Sequence, residues 1–204
     1  MTDKQEIRRS QRKLVVLLLV FLLPVIIAFV MHLNPQWLPK STKNNGMLFS
    51  PVVSLHNFML RTQADKPFSL ADMRGKWSLV YIGGTSCDKA CQETLFKARD
   101  SRWAQGTEAL RVNYYYLVAA DKFSGDLAAL MKANPGLIML HGGATQRDPL
   151  IQQFRIDQKQ QLGSDNRLYL VDPNGNILLH YPYGFKDIGL MEDLKHLLKW
   201  SQIG

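Results

Sequence analysis

The chain has 204 residues, of which 46% are hydrophobic and 21% are charged. These values exclude a wholly disordered chain and a low-complexity protein, and the length allows one compact domain plus an attachment. Only two Cys are present, which excludes a disulfide-rich miniprotein and any four-Cys zinc or iron–sulfur site. The formal net charge is +8, but the basic residues form no nucleic-acid-binding motif, so we expect no nucleic-acid partner.

An uninterrupted apolar run of 18 residues, Leu14–Met31, dominates the N-terminal part of the chain. As a helix it rises about 27 Å, which is near the thickness of the hydrocarbon core of a bilayer. Its length and the lack of a small-residue cleavage site favour an uncleaved anchor over a signal peptide. Five Lys and Arg residues precede the run, so the positive-inside rule predicts a cytoplasmic N-terminus. We therefore expect a single-pass protein of the inner (cell) membrane with a periplasmic domain.

The predicted organisation has four parts, namely a cytoplasmic tail at 1–13, a transmembrane helix at 14–33, a tether at 34–51 and a domain at 52–204. The tether is rich in Pro, Ser, Thr, Asn and Gly, a composition that supports no periodic element.

Within the domain, short apolar runs alternate with amphipathic stretches. The predicted elements are, in chain order, a strand at 77–83, a helix at 88–103, a strand at 112–119, a helix at 125–133, a strand at 137–140, a short helix at 149–154, a hairpin of strands at 168–171 and 177–181, and a helix at 188–200. This order predicts an α/β sandwich with a parallel strand pair first and an antiparallel hairpin late. We interpret the three consecutive tyrosines Tyr114, Tyr115 and Tyr116 as core residues.

Both cysteines follow the strand at 77–83 directly, in a C-x₃-C motif formed by Cys87 and Cys91. Thr85 and Asp88 have the spacing of a capping box, which places Thr85 at the N-cap and Cys87 in the first helical turn. Backbone N–H groups at that position favour a thiolate, so Cys87 is the expected nucleophile. The pair is compatible with disulfide exchange, with Cu(I) binding by two thiolates, and with a structural disulfide.

The C-x₃-C motif has one residue more than the C-x-x-C of thioredoxin oxidoreductases. With several further motifs, it resembles the Sco/SenC family, whose members are thioredoxin-like, membrane-anchored assembly factors for the copper centre of cytochrome c oxidase. The motifs are Phe68-x-Leu70-x-Asp72-x-x-Gly75-Lys76, Leu79-Val80-Tyr81, Thr85-x-Cys87-x-x-x-Cys91, Leu140-His141-Gly142 and Tyr169-Leu170-Val171-Asp172-Pro173-Asn174-Gly175. The resemblance covers roughly residues 65–200. It implies a thioredoxin-like sandwich behind one transmembrane helix, with the membrane and a cytochrome c oxidase subunit or its assembly factors as partners.

The resemblance also implies a copper site made of the two Cys and a His that lies five residues before the Tyr of the late strand. Ser164 occupies that position here, and the chain has no His between His141 and His180. A hydroxyl is a poor ligand for Cu(I), so His141 or His180 is the substitute available within the domain. For a lone His, a structural or surface role is the more common one.

Three hypotheses follow. The first is a membrane-tethered protein that assists oxidase assembly by thiol–disulfide chemistry, as an oxidoreductase in which Cys87 attacks and Cys91 resolves. The second is a Cu(I) chaperone of the Sco type, in which Cys87 and Cys91 bind the metal with a substitute third ligand. The third is a non-catalytic scaffold whose dithiol is structural. The sequence leaves open whether the resting state is a dithiol or a disulfide.

Overall fold

The computed structural model describes residues 3–34, 44–120 and 125–201, which belong to two compact units. The first unit contains one helix, α1 (Asp3–Leu33), with Pro24 inside it. Its segment Arg12–Leu33 has a mean hydropathy of 3.4 and is long and apolar enough to cross a membrane. The expected tether falls largely on residues 35–43, which lie outside the described residues.

The second unit holds an eight-stranded sheet and its helices. Its elements are β1 (Met47–Ser54), β2 (Met59–Thr62), β3 (Pro67–Ser69), α2 (Leu70–Met73), β4 (Trp77–Gly83), α3 (Lys89–Trp103), a 3₁₀ helix (Gly106–Arg111), β5 (Val112–Val118), α4 (Gly125–Ala133), β6 (Leu137–His141), α5 (Ala144–Gln153), β7 (Leu168–Val171), β8 (Asn176–Tyr181) and α6 (Asp187–Trp200).

The strand order in the sheet is β1-β8-β7-β4-β5-β6-β2-β3. The three central strands β4, β5 and β6 are parallel, and β7 pairs with β4 in the antiparallel sense. Because parallel strands end at the same edge of a sheet, the loops that follow β4, β5 and β6 share one edge. The predicted parallel pair and late hairpin are thus confirmed.

Alternating residues of the central strands build a separate core on each face of the sheet. On one face, Leu79 of β4 and Tyr114 and Tyr116 of β5 pack under α3, α4 and α6. On the other face, Val80 and Tyr115 pack with α2, α5 and the N-terminal strands. The three tyrosines are at most 1% exposed, which confirms their interpretation as core residues.

Two predicted boundaries are wrong, and β2, β3, α2 and the 3₁₀ helix were not predicted. The expected tether at 34–51 ends too late, because β1 begins at Met47 and pairs with β8. Helix α5 begins at Ala144 rather than at Pro149, and the proline lies inside it. In both cases we interpreted a Pro as the boundary of an element. The strand β1 and the helix α5 instead continue through that Pro.

Candidate disulfide site

The cysteine motif follows strand β4 at the edge of the sheet, where buried tyrosine side chains lie beneath the loop. The Tyr116 hydroxyl donates a hydrogen bond to the Gly84 carbonyl oxygen at 2.9 Å. A Cβ on Gly83 would lie 2.6 Å from Cζ of Tyr116, so only glycine allows this close approach. Burial raises the pKa of the Tyr116 hydroxyl well above its ordinary value, and the Asp88 carboxylate adds to the effect. The hydroxyl therefore stays a proton donor that fixes the loop before the cysteines.

Helix α3 begins one position beyond Asp88, which is its N-cap. The Asp88 carboxylate accepts a hydrogen bond from the backbone N–H of Cys91 at 2.8 Å. The predicted cap at Thr85 is wrong, because Asp88 supplies the stronger capping group three residues later. Cys87 therefore precedes the helix instead of lying in its first turn, and Cys91 takes the third helical position.

The structure joins Cys87 and Cys91 in a disulfide, with their Cα atoms 5.2 Å apart. The side-chain amide of Gln92 donates to the Cys87 carbonyl oxygen at 3.0 Å, which ties the loop residue to the first turn of α3. The two residues of the motif are thus brought together by one turn of helix and one loop.

The two half-cystines have different surroundings. Cys91 is 3% exposed and belongs to the core under α3, whereas Cys87 is only partly buried. Cys87 also lines a groove of about 650 Å³ between α3 and α4, together with Ser86, Phe96 and Leu130. An incoming thiolate therefore reaches the Cys87 side of the bond from solvent. The helix N-terminus favours negative charge on Cys91 when the bond opens.

The segment 155–167 contacts α3 and β4 through Asn166. The backbone carbonyl of Asn166 accepts a hydrogen bond from the Thr94 hydroxyl at 3.3 Å. The side-chain oxygen of Asn166 accepts a hydrogen bond from the Tyr81 hydroxyl. Ser164 lies in this segment, and its hydroxyl donates to the Gln161 carbonyl at 3.2 Å. The position that the resemblance assigns to a His thus holds a hydroxyl that is bonded within its own segment.

The two substitute histidines do not complete a metal site. His180 lies on the opposite face of the sheet, where its ring meets Phe49 at 6.3 Å and its strand position pairs with Tyr169. His141 ends β6, and its Nε2 lies 3.1 Å from the Thr62 carbonyl oxygen. Across residues 3–34, 44–120 and 125–201, no three His, Cys, Asp or Glu side chains form a group able to hold a metal. Strand alternation turns His180 away from the dithiol, in line with the structural role that is the more common one for a lone His.

Sequence reasoning missed three features of the site. The cap by Asp88 carries a sequence signal, namely an Asp directly before a helical run. The tyrosines beneath the loop were recognised as core but not as loop anchors. The groove wall formed by Phe96 has no sequence signal, because it depends on the distance between α3 and α4.

Comparison with known proteins agrees with this architecture. A family model described as a transmembrane-like, thioredoxin-like C-terminal domain matches residues 77–201. The mouse mitochondrial protein SCO2 homolog is 25% identical over 154 residues, which are 73% of this chain and 60% of that protein. This chain therefore matches less than two thirds of the length of that relative.

Two solved structures share the fold. Copper-bound ScoI of Bradyrhizobium japonicum superposes with a TM-score of 0.57 at 21% identity, covering 71% of this chain and 99% of that one. BsSco is described as a member of the Sco family of cytochrome c oxidase assembly proteins, with a disulfide switch. It superposes with a TM-score of 0.57 at 16% identity, covering 78% of this chain and 98% of that one. The chain thus has the thioredoxin-like fold of the Sco proteins, and it belongs to the family of transmembrane-like, thioredoxin-like C-terminal domains.

Proposed function

We propose that this chain is a membrane-tethered thiol–disulfide exchange protein that assists the assembly of cytochrome c oxidase. The observation that carries the proposal is the unequal burial of the pair, with Cys87 partly exposed and Cys91 in the core. The likeness to Sco proteins supports the oxidase as the destination. The apolar segment Arg12–Leu33 supports the tether, and the basic residues before it support a cytoplasmic N-terminus and a periplasmic domain.

Exchange begins when a client thiol loses its proton to solvent and its thiolate attacks the Cys87 sulfur. A bond forms between the client sulfur and Cys87, the Cys87–Cys91 bond breaks, and Cys91 leaves as a thiolate. A second client thiolate then attacks the first client sulfur and expels Cys87. The client dithiol is oxidised to a disulfide, and the protein disulfide is reduced to two thiols that take up two protons. In the reverse direction, Cys87 attacks a client disulfide and Cys91 resolves the mixed disulfide.

The test compares two single variants of the reduced full chain in detergent micelles. Cys91→Ser leaves only Cys87, and Cys87→Ser leaves only Cys91. With the probe 5,5′-dithiobis(2-nitrobenzoate), we expect Cys91→Ser to react at least about tenfold faster, because thiol reactivity follows exposure. The release of the coloured thiolate measures both rates. Equal rates, or a faster reaction of Cys87→Ser, would contradict the assignment of Cys87 as the exchanging sulfur.

A second candidate function is the carriage of Cu(I) as cargo, favoured by the pair of soft sulfur donors that reduction releases. Two thiolates then supply the donor set from this chain, since no third ligand joins them within the described ranges. Bicinchoninate competition on the reduced full chain tests this function. Uptake of one Cu(I) per chain that is lost in both single Cys variants supports it, and failure to compete rejects it.

The scaffold hypothesis is decided in cells. If the double variant Cys87→Ser, Cys91→Ser assembles active oxidase at the wild-type level, the pair has no chemical role and the protein acts as an interaction module. The exchange proposal expects oxidase activity to fall in the double variant and in each single variant, while the abundance of the membrane-bound chain stays unchanged.

A further inference from the structure

The groove between α3 and α4 starts at the exposed half of the disulfide. Cys87 and Ser86 line its first end, Phe96 and Leu130 form apolar walls farther along, and Asn134 lies at the far end. Its volume of about 650 Å³ falls within the range of sites that bind small ligands or short peptide segments. A sulfur that attacks Cys87 from this side brings the chain that carries it into the groove.

Phe96 is an exposed aromatic residue that is held in place. Its side chain is 53% exposed, and the guanidinium carbon of Arg99 lies 4.1 Å from the centre of its ring. The same guanidinium donates to the Ala133 carbonyl at the end of α4, at 2.9 Å. Arg99 therefore links the two helices and orients the ring at once. A pre-ordered apolar wall loses little conformational entropy when a ligand packs against it.

Asn134 adds a polar group at the bottom of the groove. It is 5% exposed, and its side-chain nitrogen donates to the Leu130 carbonyl at 3.0 Å. Its side-chain oxygen is buried and has no hydrogen-bond partner among the residues that the structure describes. Asn134 is therefore held by its bond to Leu130 and gives the groove lining a fixed polar residue.

We propose that the α3–α4 groove binds an extended, cysteine-containing segment of the client protein, and this inference rests on the exchange function proposed above. The client Cys lies at Cys87, and a client apolar side chain packs between Phe96 and Leu130. Phe96 is exposed on α3 and lines the same groove as Cys87. Side chains two residues apart in an extended chain point the same way, so an apolar residue two positions from the client Cys faces the groove together with that Cys. The groove therefore selects a client segment with an apolar residue close to its Cys.

The covalent step is the one written above. The client thiolate bonds to Cys87, the bond to Cys91 breaks, and Cys91 leaves as a thiolate while the client proton goes to solvent. The groove changes only the affinity for the approaching chain. The groove does not change the number of electrons that are transferred. A small thiol performs the same exchange without binding in the groove.

The test uses the oxidised full chain in detergent micelles and two capped synthetic peptides. One has the sequence Gly-Leu-Gly-Cys-Gly-Leu-Gly, and the other has Ser in place of both Leu. Acid quenching and intact mass measure the rate at which each forms a mixed disulfide. We expect the Leu peptide to react about tenfold faster, the size of effect that one buried apolar side chain gives.

Two variants and one small thiol complete the design. Phe96→Ser is expected to abolish the advantage of the Leu peptide, whereas Trp200→Ser, which removes an exposed aromatic residue of α6 outside the groove, is expected to keep it. The rate with 2-mercaptoethanol serves as the reference by which the peptide rates of each variant are divided, and Trp200→Ser is expected to keep the wild-type value. Equal rates for the two peptides with the wild-type chain would overturn the proposal that the groove binds the client, and the exchange function would still hold. If neither the peptides nor 2-mercaptoethanol forms a mixed disulfide, the exchange function fails, and the groove proposal with it.

Discussion

At the scale of single residues, Asp88 acts in two ways on the sulfur atoms beside it. Its carboxylate caps α3 through the backbone N–H of Cys91, which stabilises the helix start. The same negative charge lies next to Cys87 in the chain and opposes a thiolate there. Asp88 thus stabilises the helix N-terminus that favours a thiolate, whereas its negative charge opposes a thiolate at Cys87.

Asp88→Asn separates these two roles, because Asn caps a helix about as well as Asp but carries no charge. We expect the pKa of the Cys87 thiol in the reduced chain to fall, because a neutral side chain no longer opposes the thiolate. The pH dependence of alkylation by iodoacetamide, followed in the Cys91→Ser background, measures this change. Stability is expected to stay near that of the wild-type chain.

Asp88→Ala is the matched comparison, since it removes both the charge and the cap. It is expected to cost about 1 kcal/mol of stability as well as to lower the thiol pKa. An unchanged alkylation profile in both variants would show that the carboxylate does not act on Cys87.

At the scale of elements, one buried carboxylate joins the start of the second unit to α6. Asp193 is 4% exposed and accepts hydrogen bonds from the backbone N–H groups of Asn45 and Gly46, each at 2.8 Å. It also accepts one from the Tyr181 hydroxyl of β8 at 2.7 Å. The chain therefore becomes part of the sheet-and-helix unit just before β1 begins.

Asp193→Ala is expected to destabilise this unit by about 2–4 kcal/mol, because it leaves the buried N–H group of Gly46, the part-buried N–H group of Asn45 and the buried Tyr181 hydroxyl unpaired. Urea unfolding of the full chain in micelles, followed by near-UV circular dichroism, measures the loss. Lys195→Ala, at an exposed position of the same helix, is the control and is expected to change stability by less than about 0.5 kcal/mol. Equal effects of the two substitutions would argue against the role of Asp193.

The elements divide clearly into those that the sequence predicts and those that it does not. Strand β4 matches its prediction over 77–83 because seven consecutive residues are buried, so the apolar run has no ambiguous end. The hairpin turn is equally explicit, since Gly175 has a φ of 93° and Asp172 accepts hydrogen bonds from two following backbone N–H groups. Strands β2 and β3 escaped prediction because they have only four and three residues, and β1 escaped it because it shows no alternation of buried and exposed residues.

At the scale of the whole molecule, the sheet separates two sets of core residues, one on each of its faces, and the sequence does not show to which face a residue belongs. The disulfide lies on the face covered by α3, α4 and α6, and His180 lies on the other face. The position of the cysteine motif between β4 and α3 was predictable, because it depends on neighbours in the chain. The face that a distant His occupies depends on strand register and a bulge, and neither can be read from composition or spacing.

His180 gives the fold a specific dependence on pH. Burial and the nearby Arg167 guanidinium lower its pKa from the ordinary 6.5 to about 4, although Asp165 acts in the opposite direction. Its Nδ1 lies 2.7 Å from a guanidinium nitrogen of Arg167, which requires the neutral ring. The unfolded chain binds a proton at this position below about pH 6.5, and the folded chain does so only near pH 4. Stability is therefore fully present above pH 6.5 and falls as the pH drops toward 4.

We expect the free energy of unfolding to drop by about 2 kcal/mol between pH 7 and pH 5 from this residue alone, at about 1.4 kcal/mol per pH unit. The lowered pKa values of Asp72 and Glu93 act only below about their ordinary values of 3.8 and 4.5, outside this window. His180→Asn keeps an acceptor for Arg167 and is expected to flatten the profile, whereas His196→Asn, at an exposed position, is expected to keep the wild-type slope. Urea unfolding at pH 7, 6 and 5 distinguishes these outcomes. The same slope in the wild-type chain and in His180→Asn would assign the acid sensitivity to another group.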